Sequence, residues 1–548
     1  MRPASLLIVL LAAKAAFLRG HSINASGWLL VAYVWQDAAV ALFYALFDRR
    51  EFYWLIAIYA AINVPVERAL STPLTWPMLR AARGPLADSI LLYVNGMNCA
   101  LVVAVLAVAF VAPLFLGRMP ALPGAVPLLC AVTFVLVGPS ASSRVDTHGL
   151  GRNAITALVD ISLPRVAAFN GPSRDWRSVE PAPEDLSRFA GVARGRNVIM
   201  VSLESTAAQY LELYGAKYDV MPNLSKLANR AVVFDNAYAV YPESIKALSG
   251  VLCSTYSEKA GCRSIASVFA GGGYRTGLFH SGRFDYLGMD EVVRNRGFET
   301  LEDAGEIGGD RNSSFGVDEP ATVARMLAWI DAEPRGRPFF LMYLPIAGHH
   351  PYPSPQPGPF PGADEMTQYR NALHYGDVSL GVLMNGLRAR GLADDTVWVV
   401  YGDHGEAFGQ HDGNFGHTFF LYEENVHVPF LIAAPGLMER QERVRKIVSA
   451  VDLAPTILDL AGLPLPGNYE GKTLLDSNSR MTMFFTDYSL RLAGLRDEHW
   501  KFIYEIGANR SKLFDLEQDP GETEDVSARE QTRVSAFARI LKRQLRQP

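Results

Sequence analysis

The sequence predicts an α-helical, multi-span membrane segment followed by an α/β domain built on a largely parallel sheet. Three observations carry this reading. Residues 1 to about 140 are dominated by Leu, Ala, Val, Phe and Tyr. From Arg196 onward, short apolar runs alternate with segments of helical spacing, as in a sheet covered by helices on both faces. Acids and histidines gather just past those runs, most densely in VVYGDHGEAFGQHDGNFGH at 399–417; open α/β sheets bind ligands beyond the carboxyl ends of their strands. A chain of 548 residues exceeds one ordinary domain. Its net charge of −5 excludes the basic field that nucleic-acid binding needs.

Apolar stretches lie at about 4–18, 27–47, 52–72, 88–116 and 123–140, and a span needs roughly 20 apolar residues. The fifth is short, and the first, MRPASLLIVLLAAKA, also has the form of a signal peptide. Five spans from a cytoplasmic N-terminus, or four after cleavage, both put the C-terminal part outside the cytoplasm. Arg49, Arg50 and Arg118 then fall inside, Arg80 and Arg83 outside. Asp37, Glu67 and Arg68 sit in or beside these stretches. They are either span ends and pairs within a bundle or a polar patch that receives a lipid head group.

Residues 141–195 are rich in Gly, Pro, Ser and charge and read as a linker. Within it, 153–163 has the spacing of a helix, lying on the membrane surface or packed against the soluble domain. The third unit, 196–548, holds the runs NVIMVSLES, TGLFHS, PFFLMYLP, DTVWVVYGDH and VPFLIAAPG. Between them lie the helical patterns MPNLSKLANRAV, PATVARMLAWIDA and QYRNALHYGDVSLGVLMNGLRARG.

Glu204 follows the first run, His349 a later one, and Asp403 and His404 another. Carboxylates and imidazoles at several strand ends suit Zn²⁺ or Mn²⁺ better than an all-oxygen Mg²⁺ or Ca²⁺ site. Ser244 opens the helical pattern SIKALSGVLCS. There it is either a nucleophile favoured by the helix N-terminus and a metal or a plain capping serine. Four cysteines are too few for a disulfide scaffold. Cys253 and Cys262 are near enough in sequence for a local bridge, with two buried thiols as the alternative.

From about 196 to 525 the chain resembles the sulfatase-type domain of the alkaline phosphatase superfamily. The resemblance rests on NVIMVSLES, MPNLSKLANRAVVFDNAYA, LADDTVWVVYGDHGEAFGQH, LYEENVHVPFLIAAPG and VDLAPTILDLAGLPLPGNYEGKTLL. The ending HWKFIYEIGANRSKLFDLEQDPGETEDV is similar to that family's small C-terminal antiparallel sheet. Sulfatases proper carry Cys or Ser in a C/S-x-P-x-R context; here Ser244 is followed by IKAL, which lacks the proline and the arginine. SLES at 202–205 looks more like the membrane-anchored lipoteichoic acid synthases and phosphoethanolamine transferases, whose metal-bound nucleophile is a threonine matched here by Ser244.

The resemblance implies Glu204, Ser244, Asp403 and His404 as metal ligands, with Ser244 also the nucleophile. It makes His349 and His417 substrate-contacting or proton-transferring groups, and His280 with Arg283 the pair that grips a phosphoryl group. An arginine fork suits a phosphodiester; a surface salt bridge is the plainer role for Arg283. His350 and His411 are expected to be structural neighbours. The implied activity is transfer of a phosphoethanolamine- or phosphoglycerol-type head group from a membrane phospholipid donor to a glycan or lipid acceptor. It would occur on the periplasmic or extracellular face of the inner or plasma membrane. The alternatives are a hydrolase of sulfuric or phosphoric esters and an inactive membrane binding protein.

Overall fold

The computed structural model describes residues 2–545 apart from 22, 24, 25, 82–89, 92, 119–124, 163–183, 257–261, 314, 334–335 and 477–480. Arg83 and much of the expected linker therefore lie outside the described residues.

The apolar N-terminal stretches form helices α1 (Arg2–Leu18), α2 (Leu29–Ala45), α3 (Arg50–Leu70), α4 (Trp76–Ala81), α5 (Gly96–Leu116) and α6 (Ala125–Ser142). Helix α1 packs on α2, α3 and α5, while α2 packs on α6. Ala13, Ala32, Ala57, Ala60, Ala61 and Ala109 are buried at these crossings, where small residues let backbones approach closely. Among the described residues, α5 alone is long and apolar enough to cross a membrane by length and composition. The expected multi-span character is thus not carried by helix length: α1 and α2 have 17 residues each, and α3 carries Arg50, Glu51, Glu67 and Arg68.

The polar residues in this bundle separate into two roles. Asp37 pairs with Lys14 at 2.5 Å and accepts a hydrogen bond from Asn153 Nδ2 at 2.6 Å. Lys14 also donates to the carbonyls of Tyr33 and Gly151. Asp37 is therefore an internal pair, while Arg68 donates to Ala16 O and borders the cavity described below. Helix α7 (Ala154–Ser162) packs on α2, α3 and α4, so it covers the bundle and not the soluble domain alone. Thr156 Oγ1 donates to Gln36, and Asp160 reaches Arg491 at 3.6 Å.

In the second domain the main sheet comprises β1 (Asn197–Leu203), β2 (Ala231–Tyr238), β3 (Arg275–His280), β4 (Thr300–Glu302), β5 (Phe339–Leu344), β6 (Thr396–Gly402), β7 (His427–Ala433) and β8 (Glu442–Ser449). Their spatial order is β8-β2-β7-β6-β1-β5-β3-β4. All neighbours run parallel except β7, which is antiparallel to both β2 and β6. Alternate residues of β1 face opposite cores. Val198 and Met200 meet α9 (Ser244–Cys253), α10 (Ile265–Gly271) and α13 (Leu453–Leu460); Ile199 and Val201 meet α8 (Pro222–Ala228), α11 (Glu319–Asp331) and α12 (Glu365–Ala389). The central strands are buried on both faces, so they read as continuous apolar runs. Strand β2, whose start lies inside the pattern MPNLSKLANRAV, and the charged strand β8 do not.

A four-stranded antiparallel sheet, β9 (Thr482–Thr486), β10 (Leu492–Asp497), β11 (Trp500–Glu505) and β12 (Arg510–Asp515), comes next, as the resemblance implied. Helix α14 (Gln531–Leu545) covers it through Phe537 and Leu541. Cys253 and Cys262 are disulfide-bonded, their Cα atoms 5.8 Å apart.

Polar contacts fix this domain to the bundle. Asp146 holds Arg510 at 2.7 Å and Lys512 at 2.5 Å, and Thr72 and Arg152 both bond Ser489. Burial alone would raise the Asp146 carboxyl, but a hydrogen bond from His148 and the charges of Lys512 and Arg510 hold it far below the usual range. A depressed folded value contributes stability in full above the unfolded value of ~4 and loses it as pH falls further. Asp146→Asn is expected to cost about 2 kcal/mol, between an exposed and a fully buried pair. It should also remove part of the acid sensitivity, read as faster hydrogen exchange across 489–515 that no longer increases below pH ~4.

Candidate active site

Strands β6, β1, β5 and β3 are adjacent and parallel, so their carboxyl ends meet at one edge. The residues there are Asp403 and His404 after β6, Glu204 after β1, His349 after β5 and His280 at the end of β3. The register pairs Leu203 with Gly402. That places the next residues of both strands, Glu204 and Asp403, side by side.

Each of these groups is aimed by the backbone. Asp403 Oδ1 accepts from the N–H groups of Ser205 and His404 at 3.0 and 2.7 Å, leaving Oδ2 for the site. Ser205 Oγ donates to Glu204 Oε1 at 2.8 Å. His404 Nδ1 lies 2.9 Å from Gly405 O; that carbonyl fixes the proton on Nδ1 and leaves the Nε2 lone pair facing the carboxylates, as in metal-ligating histidines. Ligand atoms from Glu204, Asp403 and His404 lie within 4.8 Å of one another, and all three side chains are buried. Burial first, then Asp403, pushes the Glu204 carboxyl well above the usual range. Among the described residues no Lys or Arg pairs with either carboxylate, and a divalent cation fits this donor set.

Ser244 is the first residue of α9; the capping position belongs to Glu243. Its hydroxyl therefore does not cap. It lies 3.2 Å from Glu204 Oε2 and 3.1 Å from His404 Nε2, at the positive end of the helix.

His417 stands over this group, its ring 4.2 Å from that of His404. Its Nδ1 lies 2.7 Å from Glu406 Oε2, while Tyr352 donates to Glu406 Oε1 at 2.6 Å. Burial alone would lower the His417 pKa, but Glu406, with Glu204 and Asp403, raises it to about 9. His349 stacks on Phe315 at 3.8 Å, with burial and the nearby His417 lowering it to about 3. His280 is lowered to about 4, mainly by burial, with Nδ1 at 3.0 Å from Leu344 O.

Arg283 faces Asp303 at 3.8 Å and is not among the residues lining the cavity. Asp303 is held by the N–H groups of Phe284 and Gly305. His411 is structural, bonded to Glu424 and stacked on Tyr422. His350, by contrast, lines the cavity beside Tyr93. The role of Glu406 was open to sequence reading only through its place two residues after His404; Tyr352 carried no signal.

Ser244, Glu204, His280, His349 and His417 open into a cavity of about 660 Å³. Its wall on the N-terminal side is formed by α3 with Leu74, Met78, Ile90, Tyr93 and Val94.

Residues 196–463 match the sulfatase family, and residues 409–548 match the C-terminal region of N-sulphoglucosamine sulphohydrolase. The solved structure of a lipoteichoic acid synthase from Listeria monocytogenes superposes with a TM-score of 0.54 at 20% identity, covering 67% of this chain and 94% of that one. Residues 196–463 thus form a sulfatase-type domain. The relatives of this sulfatase-type chain fall on both sides of the branch point. Bovine arylsulfatase K is 34% identical over 172 residues, covering 28% of this chain and 31% of its own length. Lipoteichoic acid synthase 2 of Bacillus subtilis is 25% identical over 303 residues, covering 50% and 46%. The match thus spans less than half of either relative.

The donor set predicts a contrast between two neighbouring carboxylates. Asp403→Ala should reduce bound Zn²⁺ or Mn²⁺, measured by elemental analysis after dialysis, from about one per chain to near zero, because it removes a charge that the cation needs. Glu406→Gln, whose carboxylate is bound to His417 and Tyr352, should keep the metal.

Proposed function

We propose that the chain is a membrane-embedded, metal-dependent transferase acting on a phosphoryl-linked lipid head group, with Ser244 as nucleophile. The observation that carries this is the placement of Ser244 Oγ against Glu204 and His404 at a helix N-terminus. Lys246 and Leu248 stand where sulfatases proper have proline and arginine, and Lys246 is paired with Asp487 at 2.5 Å. That neighbourhood argues for a serine acting as itself. In this reading α1–α3, α5 and α6 together form the membrane domain within residues 1–140. Residues 141–195 connect it to the catalytic domain, 196–548, on the periplasmic or extracellular side.

Glu204, Asp403, His404 and Ser244 would hold Zn²⁺ or Mn²⁺, which supplies positive charge that favours the serine alkoxide and the charge on the transferring group. Ser244 Oγ attacks phosphorus, a serine–phosphorus bond forms, and the bond to the lipid's leaving oxygen breaks. His417, held by Glu406, is placed to give that oxygen a proton. An acceptor hydroxyl of a glycan or second lipid then attacks the same phosphorus, loses its proton to the histidine and frees Ser244. His349 and His280 line the cavity and position the phosphoryl oxygens; Arg283, paired with Asp303, is given no role in this step.

A second reading, hydrolysis of a sulfuric or phosphoric ester with water as acceptor, is favoured by the match of 409–548 to a sulphohydrolase C-terminal region and by the arylsulfatase K relatives. Exposing the protein to total membrane lipid and mapping its intact mass should reveal a phosphoryl-linked adduct on Ser244. Ser244→Ala should lower turnover at least ~10³-fold while keeping the fold. Cleavage of aryl sulfates without any lipid-derived adduct would favour the hydrolase instead.

A further inference from the structure

The cavity is far larger than a head group requires, and its walls change character along its length. Near Ser244 it is lined by Glu204, His417 and His349 with Phe315 stacked on it; elsewhere, by Ile62, Pro65, Val66 and Ala69 of α3 and by Leu287. Leu55, Ile58, Ile62, Val66 and Ala69 are spaced by three or four residues, so they form one stripe along α3. The outer part of that stripe is open, with Leu55 64% and Ile58 and Ile62 each 45% exposed. Ile62 belongs to both, exposed and yet part of the cavity wall. An apolar track of roughly 21 Å thus runs from the outer face of the bundle into the active-site cavity. Arg68, the one arginine on the cavity wall among the described residues, uses one donor on Ala16 O.

We infer that this track is an acyl-chain site: one hydrocarbon chain of an anionic glycerophospholipid lies along α3 while its phosphate reaches Ser244. The inference rests on the transferase reading for its phosphate end, but the track itself is independent of turnover. A glycan would leave the wall of Val66, Ala69, Leu287 and Phe315 without a matching partner, and a free head group would leave most of the cavity's apolar length uncovered. A chain running from Ile62 to Ala69 covers both, and Arg68 matches the charge of the phosphate region. The lipid then enters sideways from the bilayer, its phosphate leading and its chain following along Leu55 and Ile58.

The test uses the full-length Ser244→Ala protein in phosphatidylglycerol-containing micelles, with a phosphatidylglycerol probe bearing a diazirine at the end of one acyl chain. Labelling is mapped by peptide mass. Saturable labelling should concentrate in 55–94, over the background on the exposed apolar helix Gly96–Leu116. Excess unlabelled phosphatidylglycerol should compete it, and glycerol phosphate should not. Ala69→Trp, which fills the track, should lower that ratio at least tenfold. Ile62→Ser, at a position 45% exposed, should lower it as well. An unchanged ratio in both variants, or full competition by glycerol phosphate, overturns the acyl site. Specific labelling without any Ser244 adduct in the unmutated protein would instead uphold the track and refute the transferase reading.

Discussion

Two buried carboxylates that pair with no Lys or Arg among the described residues set the terms for the rest of the molecule. Glu204 and Asp403 lie at the ends of paired parallel strands, where register forces them together. Left alone, two such charges repel at short range in a medium that screens poorly. The surrounding structure presents the arrangement that a cation resolves: two N–H groups on one oxygen of Asp403, a carbonyl that fixes the His404 proton, and a serine hydroxyl at a helix end. The sheet supplies the rigidity. A site built on four neighbouring strand ends moves only if the core moves.

Much of this was legible in the sequence because parallel strands buried on both faces are long apolar runs, and the residues just past each run lie at the ligand-binding edge. Glu204, His349, Asp403 and His404 were visible for that reason, and Ser244 because a helical pattern starts at it. The partner of Arg283 was not readable, because a motif gives no information about its neighbour: Asp303 is close in space but belongs to another segment. Lys14 went unread because one lysine in an apolar stretch resembles the flank of a leader, and its partner Asp37 lies on the next helix. The cavity could not be read at all. Its walls come from Val66, Leu287, Phe315 and His417, residues that only the docking of two domains brings together.

That docking is polar around Asp146 and Ser489 and apolar where it meets the cavity. Asp146 gathers Arg510 and Lys512, while Ser489 takes bonds from Thr72 and Arg152. Such contacts depend on direction and distance, so they set orientation more sharply than apolar packing does. Loss of orientation would cost more than stability. A small rotation of the bundle would shift α3 relative to Ser244 and break the continuity of the cavity.

The single reversed strand of the main sheet has a consequence of its own. Because β7 runs against β6, the segment 403–426 leaves and re-enters the sheet at the same edge, with both feet planted beside the cluster of Glu204, Asp403 and His404. Lengthening such a closed excursion costs little, about 0.6 kcal/mol per doubling, and leaves Asp403 and His404 on their strand end. His417 rides on the excursion, whereas Asp403 and His404 stay at its foot. One scaffold can therefore exchange the rim that meets the leaving group while keeping its charge centre in place. In that sense, the reversed strand separates the part of the site that must stay constant from the part that selection is free to edit.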